Sequence, residues 1–294
     1  MRFLRGGLIQ AIVGILQQLG FLIPGAQSIV GYWGTFESSD YFAGYMATII
    51  PFGLGVYLLA DKEERRMRNL RIVGLAMFLS GVLTLPSTFS RASWIAVLAG
   101  FAIVAFVRWD ILALFQRSSF AKVLILACCV GISAVLMVMA AQGYKLKPDS
   151  VGGRLLIWKI TLSMIARSPL TGIGFDRFPV EYENFQADYF ATSSRTSYEE
   201  IVAGHVRNAY NEQLQVLAEL GIIGAVLFVS ILKVAVLGGN RQVNTMSGVV
   251  ISARASIVAF VVFSCFSVPM SVLPTFITFF FLLAVISANS PSSS

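Results

Sequence analysis

Long apolar stretches alternate with shorter polar connections along most of this 294-residue chain. A helix needs roughly 20 apolar residues to cross about 30 Å of hydrocarbon, and several stretches reach or approach that length. Because lipid offers no partner to backbone N–H and C=O groups, each such stretch is predicted to be a helix. The pattern predicts an all-α fold, a polytopic transmembrane helical bundle of about eight spans. The predicted spans are Gly7–Pro24, Tyr41–Ala60, Ile72–Phe89, Ala92–Val107, Val123–Gln142, Ile222–Val236, Val249–Val268 and Val272–Ala288.

One long polar stretch, from Gly143 to Gly221, interrupts this pattern. It predicts a large extracytoplasmic loop that contains short helices. The predicted organisation is therefore about five N-terminal membrane helices over residues 1–142, the loop over residues 143–208, and about three C-terminal membrane helices with a polar entry helix over residues 209–294.

Charge adds an orientation to this organisation. Charged residues make up 13% of the chain, against about 25% in soluble domains. The net charge of +7 does not indicate nucleic-acid binding, because the basic residues form no single patch and no binding motif accompanies them. Five basic residues lie in Asp61–Arg71, which the positive-inside rule places in the cytoplasm. An even number of spans then puts both termini in the cytoplasm and the large loop outside.

The first half of the loop has helical character. Asp149–Arg167 combines apolar residues at spacings of four to five with polar ones, which predicts an amphipathic helix lying on the membrane surface. Arg154 falls in its first turn, and Pro169 ends the helix. Gly172 and Gly174 follow, and they indicate either a turn or, more weakly, a cradle for a phosphate.

A second helix is predicted to begin at Asn208 and to become fully apolar at Ile222. Polar side chains recur along it at spacings of three, four and four, which draws one polar stripe. Such a stripe either faces a membrane-embedded cavity or forms the wet side of a surface helix. Its members are Asn208, Asn211, Gln215 and Glu219.

Two isolated residues leave alternatives open. His205 is the only histidine, so it is either a catalytic residue or an exposed loop histidine. No acid or cysteine stands at ligand spacing from it, and no metal is predicted. Arg254 lies within the seventh predicted span and either faces the protein interior or extends to the inner interface. The cysteines lie in apolar stretches and indicate no disulfide framework.

Four phrases occur in order along the chain. They are Gly34-Thr35-Phe36 with Tyr41-Phe42-Ala43-Gly44-Tyr45 and Pro51; Ser90-Arg91-Ala92; Gly153-Arg154 with Trp158, Pro169 and Gly172-Ile173-Gly174; and Asn211 with Leu214-Gln215, Glu219 and Gly221. Together they resemble the O-antigen ligase / O-antigen polymerase superfamily of bacterial inner-membrane enzymes. The resemblance covers most of the chain, with the ligase-like region at roughly residues 75–232.

The resemblance implies a metal-independent membrane glycosyltransferase that takes a glycan from an undecaprenyl diphosphate-linked donor. The acceptor would be lipid A-core, another glycan or a protein hydroxyl. The leaving diphosphate needs positive charge as its bond breaks, and a guanidinium matches phosphate oxygens. Arg91 and Arg154 are therefore the candidate diphosphate ligands. No Asp-x-Asp motif or P-loop is present, so no nucleotide or other cofactor is predicted. The other candidate substrate-binding residues are Trp158, Asn208, Asn211 and Gln215.

Two features depart from the family. Tyr210 stands where the family often has a histidine linked to catalysis, so the base is not carried over; the candidates are Tyr210, Glu219 and His205. Relatives commonly have more spans, which predicts a short member or a piece of a longer chain. The alternatives are a polysaccharide polymerase of the same superfamily, a transporter for an anionic lipid or solute, and an inactive relative that scaffolds other proteins.

Overall fold

A computed structural model describes residues 2–21, 32–61, 65–109, 149–192, 197–238 and 248–288. Within these ranges the regular structure is helical, which confirms the predicted all-α class for this part of the chain. Short 3₁₀ helices lie at Pro86–Thr88 and Pro269–Ser271. The α-helices are α1 Arg2–Gln18, α2 Ser39–Leu59, α3 Arg65–Thr84, α4 Arg91–Trp109, α5 Asp149–Arg167, α6 Phe178–Thr192, α7 Ser197–Val202, α8 Glu212–Leu237, α9 Gly248–Ser264 and α10 Leu273–Ala288.

Four helical segments among the described residues are long and apolar enough to cross a membrane: Ser39–Leu59, Met67–Thr84, Arg91–Trp109 and Glu212–Leu237. Helices α9 and α10 are apolar but shorter. The chain is therefore a multi-pass membrane protein. The predicted span Val123–Gln142 lies outside the described residues, so a total of about eight spans stays a prediction.

The chain divides into two compact units. The first unit comprises Met1–Ala141, Ala235–Phe263 and Val272–Ser294. The second comprises Gln142–Val234 and Ser264–Ser271. The first unit therefore holds most of the apolar helices, and the second holds the polar stretch with the greater part of α8.

Helix α2 is the centre of the first unit. It contacts α1, α3, α4 and α10, and most of its side chains are buried. Small residues let its backbone approach a neighbour closely: a Cβ on Gly53 would lie 2.8 Å from the Gly74 carbonyl oxygen of α3. Close backbone approach through small residues is how membrane helices associate without a hydrophobic driving force.

Two glutamines of α1 bond to the chain that precedes α2. Gln17 forms two hydrogen bonds with Gly34, donating to its carbonyl at 2.8 Å and accepting from its N–H at 2.9 Å. Gln10 donates to the Thr35 hydroxyl at 2.8 Å. The polar residues that interrupt the first predicted span thus satisfy backbone and side-chain groups that would otherwise lack partners.

Two arginines of the first unit bond to the carbonyl ends of helices. Arg71 donates to the Ala60 carbonyl at 2.9 Å, directly after α2. Arg254 donates through Nη2 to the carbonyl of Gly238, directly after α8. A cation at this end also complements the helix dipole. The side chain of Arg254 is partly buried and has a structural partner inside its own unit.

Gln17→Leu should destabilise the first unit. The substitution leaves the buried N–H and C=O of Gly34 without partners, and each unsatisfied group costs about 1–3 kcal/mol. We expect the melting temperature of the detergent-purified protein to fall by several degrees. Gln10→Leu is the matched control, since its bond to Thr35 is exposed, and it should have a smaller effect. Equal melting temperatures for the two variants would contradict this role of Gln17.

Candidate active site

The second unit is built on the packing of α5 against α6 and α7. Helix α5 covers the predicted residues, and it buries Ile160 and Met164 against Phe178 and Tyr182 of α6. Leu155 on the opposite face is 58% exposed. The helix is therefore amphipathic as predicted, with its buried face turned to the unit's own core; its place on the membrane surface stays a prediction.

Helix α8 is broken where its sequence changes from polar to apolar. Gly221 has φ 63° and ψ −167°, a conformation essentially restricted to glycine. A helix broken there loses hydrogen bonds on both sides of the break. Beyond it the side chains of Ile222 and Ile223 are exposed, as expected for a segment that enters lipid.

The segment Ser168–Gly174 supplies the missing partners. Ile173 and Gly174 donate their N–H groups to the carbonyls of Ala218 and Glu219, at 2.9 and 3.0 Å. In the other direction Ile222 donates to the Pro169 carbonyl at 2.9 Å. We call the hydrogen bonds between Ser168–Gly174 and the residues Ala218, Glu219 and Ile222 the bracket.

The bracket decides between the two interpretations of the glycine pair. The N–H groups of Gly172, Ile173 and Gly174 all donate to backbone carbonyls. The segment is therefore a turn, and these donors are not available to a phosphate. Gly172 has φ 70°, and a Cβ there would lie 2.3 Å from the Glu219 carbonyl oxygen.

Helix α8 begins at Glu212, so the predicted start at Asn208 was wrong by one turn. Asn211 is the N-cap: its side-chain oxygen accepts the Leu214 N–H at 2.9 Å. An asparagine cap satisfies a donor that the first helical turn leaves free. The sequence signal for this boundary was present, because asparagine followed by an acid in the first turn is a common helix start.

Gln215 connects the helix to the segment before it. Its Oε1 accepts the Ala209 N–H at 3.0 Å. Its Nε2 lies 3.4 Å from Asn208 Oδ1 and 3.4 Å from Glu219 Oε1. Glu219 is buried and also accepts the Phe178 N–H at 3.4 Å. The predicted polar stripe is thus real, but these contacts of its members are to one another and to the backbone.

Arg154 and Trp158 lie one turn apart on α5 and meet consecutive residues of the same segment. Trp158 donates through Nε1 to the Ala209 carbonyl at 2.9 Å. The guanidinium carbon of Arg154 lies 5.4 Å from the centre of the Tyr210 ring, which is a cation–π contact. Among the described residues, Arg154 has no hydrogen bond and no carboxylate partner. Five of the predicted site residues therefore lie close together: Arg154, Trp158, Asn208, Tyr210 and Gln215.

The first turn of α8 also holds the segment Ser264–Ser271. Asn211 donates to the Cys265 carbonyl at 2.9 Å, and Gln213 donates to the Ser264 hydroxyl at 2.7 Å. Glu212, 4% exposed, accepts the Met270 N–H at 3.0 Å. The seventh span was predicted to run to Val268, but α9 ends at Ser264 because the following residues dock here. Sequence reasoning did not single out Glu212, although a carboxylate beside a helix cap was a usable signal.

His205 and Lys159 lie at the exposed side of the second unit. His205 contacts the Glu183 carboxylate through Nδ1, and both side chains are more than half exposed. Lys159 donates to the Tyr189 hydroxyl and lies 3.2 Å from Glu199. The hydrogen bond to Tyr189, followed by that to Glu199, raises the pKa of Lys159. His205 with Glu183, and Lys159 with Tyr189 and Glu199, are two separate sets of contacts, and the side chains of His205 and Lys159 are exposed to solvent.

Arg91 belongs to the first unit. It begins α4, directly after Ser90, whose hydroxyl donates to Asp40 at 3.0 Å. Phe89 has a left-handed φ of 53° and sets the turn that leads into this helix. Within the described part of the chain, Arg91 has no hydrogen bond or ion pair. Among the residues that the structure describes, neither candidate diphosphate ligand has an acidic partner.

A comparison with known protein families identifies the family to which the chain belongs. A profile of the O-antigen ligase family matches residues 75–229, more than half of the chain. The chain belongs to the O-antigen ligase family. A search of curated proteins returns no match.

Membership of the O-antigen ligase family confirms the predicted superfamily. It makes the protein a membrane glycosyltransferase of ligase or polymerase type. The matched residues include Arg91 and Arg154, the bracket, and α8 as far as Val229. The break in α8 and the segment that completes it therefore lie inside the O-antigen ligase region.

Gly221→Ala tests the bracket. The residue would have to keep a backbone conformation that costs about 1–3 kcal/mol for a side chain, and its Cβ would lie 2.2 Å from the Leu170 carbonyl oxygen. We expect a lower melting temperature and a reduced yield of folded protein. Gly153→Ala on α5, where a Cβ meets nothing within 4 Å, should be neutral or stabilising. A Gly221→Ala protein as stable as wild type would contradict the importance of the bracket.

Proposed function

We propose that this member of the O-antigen ligase family transfers a glycan from undecaprenyl diphosphate to lipid A-core. Its orientation follows the basic residues of Asp61–Arg71, which favour the cytoplasmic side of the bacterial inner membrane. Residues 143–208 then lie outside the cytoplasm, between the membrane helices of 1–142 and 209–294. Another glycan, as in a polymerase, and a protein hydroxyl are the alternative acceptors.

The observation that carries the proposal is the state of Arg154. The side chain is held over Tyr210, while its N–H groups make no hydrogen bond among the described residues. A guanidinium offers five N–H donors in a planar fork that fits phosphate oxygens. Cleavage of the glycosidic bond leaves a diphosphate, and fixed positive charge at that leaving group lowers the barrier. Arg154 thus has the chemistry of a diphosphate ligand.

Arg91, in the first unit, stays a candidate diphosphate ligand on the sequence alone. It stands at the first residue of α4, after a turn fixed by Ser90 and Asp40. Like Arg154, it lacks an acidic partner within the described part of the chain. A permanently charged guanidinium suits a leaving group that carries negative charge.

The polar residues at the start of α8 are proposed to shape the acceptor side. Trp158, Asn208, Asn211 and Gln215 were candidates for direct substrate contact. Their side chains make bonds inside the second unit, and direct substrate contact stays a prediction. We therefore assign them to holding the segment before α8 in place, where an acceptor sugar would meet Tyr210 and Arg154.

The acceptor hydroxyl needs a base, and Tyr210, Glu219 and His205 remain the candidates. The contacts favour His205 among these. Glu183 bonds its Nδ1, so Nε2 is the ring nitrogen left to accept a proton. Glu219 is buried and already accepts hydrogen bonds from Gln215 and Phe178.

Arg154→Ala should abolish glycan transfer while membrane insertion is retained. Loss of a donor that stabilises transition-state charge typically costs about 100- to 1,000-fold in rate. The measurement is a glycan profile of the host envelope with the gene deleted, then restored as wild type or variant. Arg167→Ala, on the same helix with its guanidinium over Phe185, is the matched control and should restore the profile.

The same profile distinguishes the possible acceptors. Core sugar without long glycan, together with accumulated lipid-linked polymer, would identify a ligase. Glycan of single repeats would identify a polymerase, and an unchanged envelope after deletion would direct the search to protein acceptors. Normal transfer by Arg154→Ala would remove Arg154 from the site.

A transporter for an anionic lipid or solute is the second candidate function, and Arg254 is the observation that favours it. This arginine lies in the apolar helix α9, where an ionisable residue often marks a substrate path. A transporter predicts that Arg254→Ala impairs function and Arg91→Ala does not. If the protein is a glycosyltransferase, Arg91→Ala should impair function more than Arg254→Ala. Melting temperatures of both variants control for loss of the Arg254 bond to Gly238.

A further inference from the structure

We propose that Tyr210 is a positioning residue: its ring holds Arg154 ready for the donor diphosphate, and its hydroxyl does not take the proton from the acceptor. The inference rests on the proposed function, because it takes Arg154 as a diphosphate ligand. It gives a defined role to the tyrosine that stands where the family often has histidine.

The backbone of Tyr210 is held in an unusual conformation. Its φ is 50°, in the left-handed region that side chains rarely adopt. Such a conformation persists only where the surroundings determine it. The preceding residue, Ala209, is bonded on both sides: its N–H to Gln215 Oε1 and its carbonyl to Trp158 Nε1. The following residue, Asn211, is the cap of α8. The hydrogen bonds of Ala209 and Asn211 therefore hold the backbone of Tyr210 in place.

The same contacts place the ring against Arg154. Residues four apart on a helix lie on one face, so Arg154 and Trp158 of α5 point the same way. Trp158 joins α5 to Ala209, and the next residue carries the ring that meets Arg154. The distance of 5.4 Å from the guanidinium carbon to the ring centre lies within the range of cation–π contacts.

A ring is a suitable partner for an arginine that must bind a diphosphate. A carboxylate would bond the same N–H donors that a phosphate needs, and the ligand would have to displace it. An aromatic face attracts the cation through its quadrupole and uses none of those donors in a conventional hydrogen bond. Tyr210 can therefore fix the direction of Arg154 and leave its N–H groups to the donor.

Among the described residues, no hydrogen bond prepares the hydroxyl of Tyr210 to act as a base. Within the described part of the chain, no carboxylate or histidine accepts a hydrogen bond from it. An activated nucleophile or base is normally oriented by such a third group. The side chain is 38% exposed, and its ring carries the contact to Arg154.

Two substitutions separate the ring from the hydroxyl. Tyr210→Phe keeps the ring, and Tyr210→Asn removes it with a residue that tolerates left-handed backbone. The probe is undecaprenyl diphosphate, with its Kd measured for each variant in lipid nanodiscs. Transfer from a lipid-linked donor gives KM and kcat. Phe175→Leu, which removes an exposed ring of the same unit, is the control and should behave as wild type.

We expect Tyr210→Asn to raise both the Kd of the probe and the donor KM by about tenfold, the range of a lost cation–π contact. Tyr210→Phe should recover most of that loss, with kcat within about threefold of wild type. In an Arg154→Ala background, Tyr210→Asn should not raise the Kd of the probe further, because Tyr210 acts through Arg154.

Three results would overturn the inference. A Tyr210→Phe protein as inactive as Tyr210→Asn, with unchanged probe Kd, would assign the hydroxyl to the chemistry. An equal loss on Tyr210→Asn with and without Arg154 would show that Tyr210 acts on its own. Normal probe binding by Arg154→Ala would remove Arg154 as a ligand and the inference with it, whatever the Tyr210 variants do, whereas the proposed function is tested separately by the envelope glycan profile.

Discussion

The second unit depends on the hydrogen bonds that complete the broken helix α8. A backbone N–H or C=O cannot be left without a partner where water is scarce, so a helix can break there only if another segment supplies the bonds. The segment from Pro169 to Gly174 does so with donors on one side of Gly221 and acceptors on the other. The polar start of α8 and its apolar continuation can then have different directions, which a continuous helix would not allow.

The hydrogen bonds around α8 also position the residues of the candidate site. Once the bracket holds Glu219 and Ala218, the cap at Asn211 and the amide of Gln215 fix the residues before the helix. Trp158 fixes the same residues from α5. The candidate site is thus built from buried and half-buried polar groups that satisfy one another, and a network of this kind tolerates little change in any member. Arg154, half-buried beside this network, is the cation that we propose meets the ligand.

The sequence was sufficient for the all-α class and the family, because apolar periodicity reports the first and the ordered phrases the second. It placed α2, α4 and α5 closely, but the third predicted span ran from Ile72 to Phe89, whereas α3 is Arg65–Thr84. It misplaced the start of α8 and the end of α9, since both boundaries depend on tertiary contacts between Asn211, Glu212 and residues 264–271. In sequence, the glycine pair at 172 and 174 favoured a turn but also allowed a phosphate cradle. Only the position of the carbonyls of Ala218 and Glu219 decides between these.

The same limit applies to function. The type of a residue determines which chemistry its side chain can perform, whereas the groups in contact with that side chain determine which chemistry it performs. Tyr210 entered as a candidate base because of its position in the family phrase, and its contact with Arg154 gives the ring a different use. An arginine that binds a diphosphate must be held without being neutralised, and an aromatic face meets both conditions. A tyrosine at position 210 is therefore compatible with the proposed site, provided that another group takes the proton.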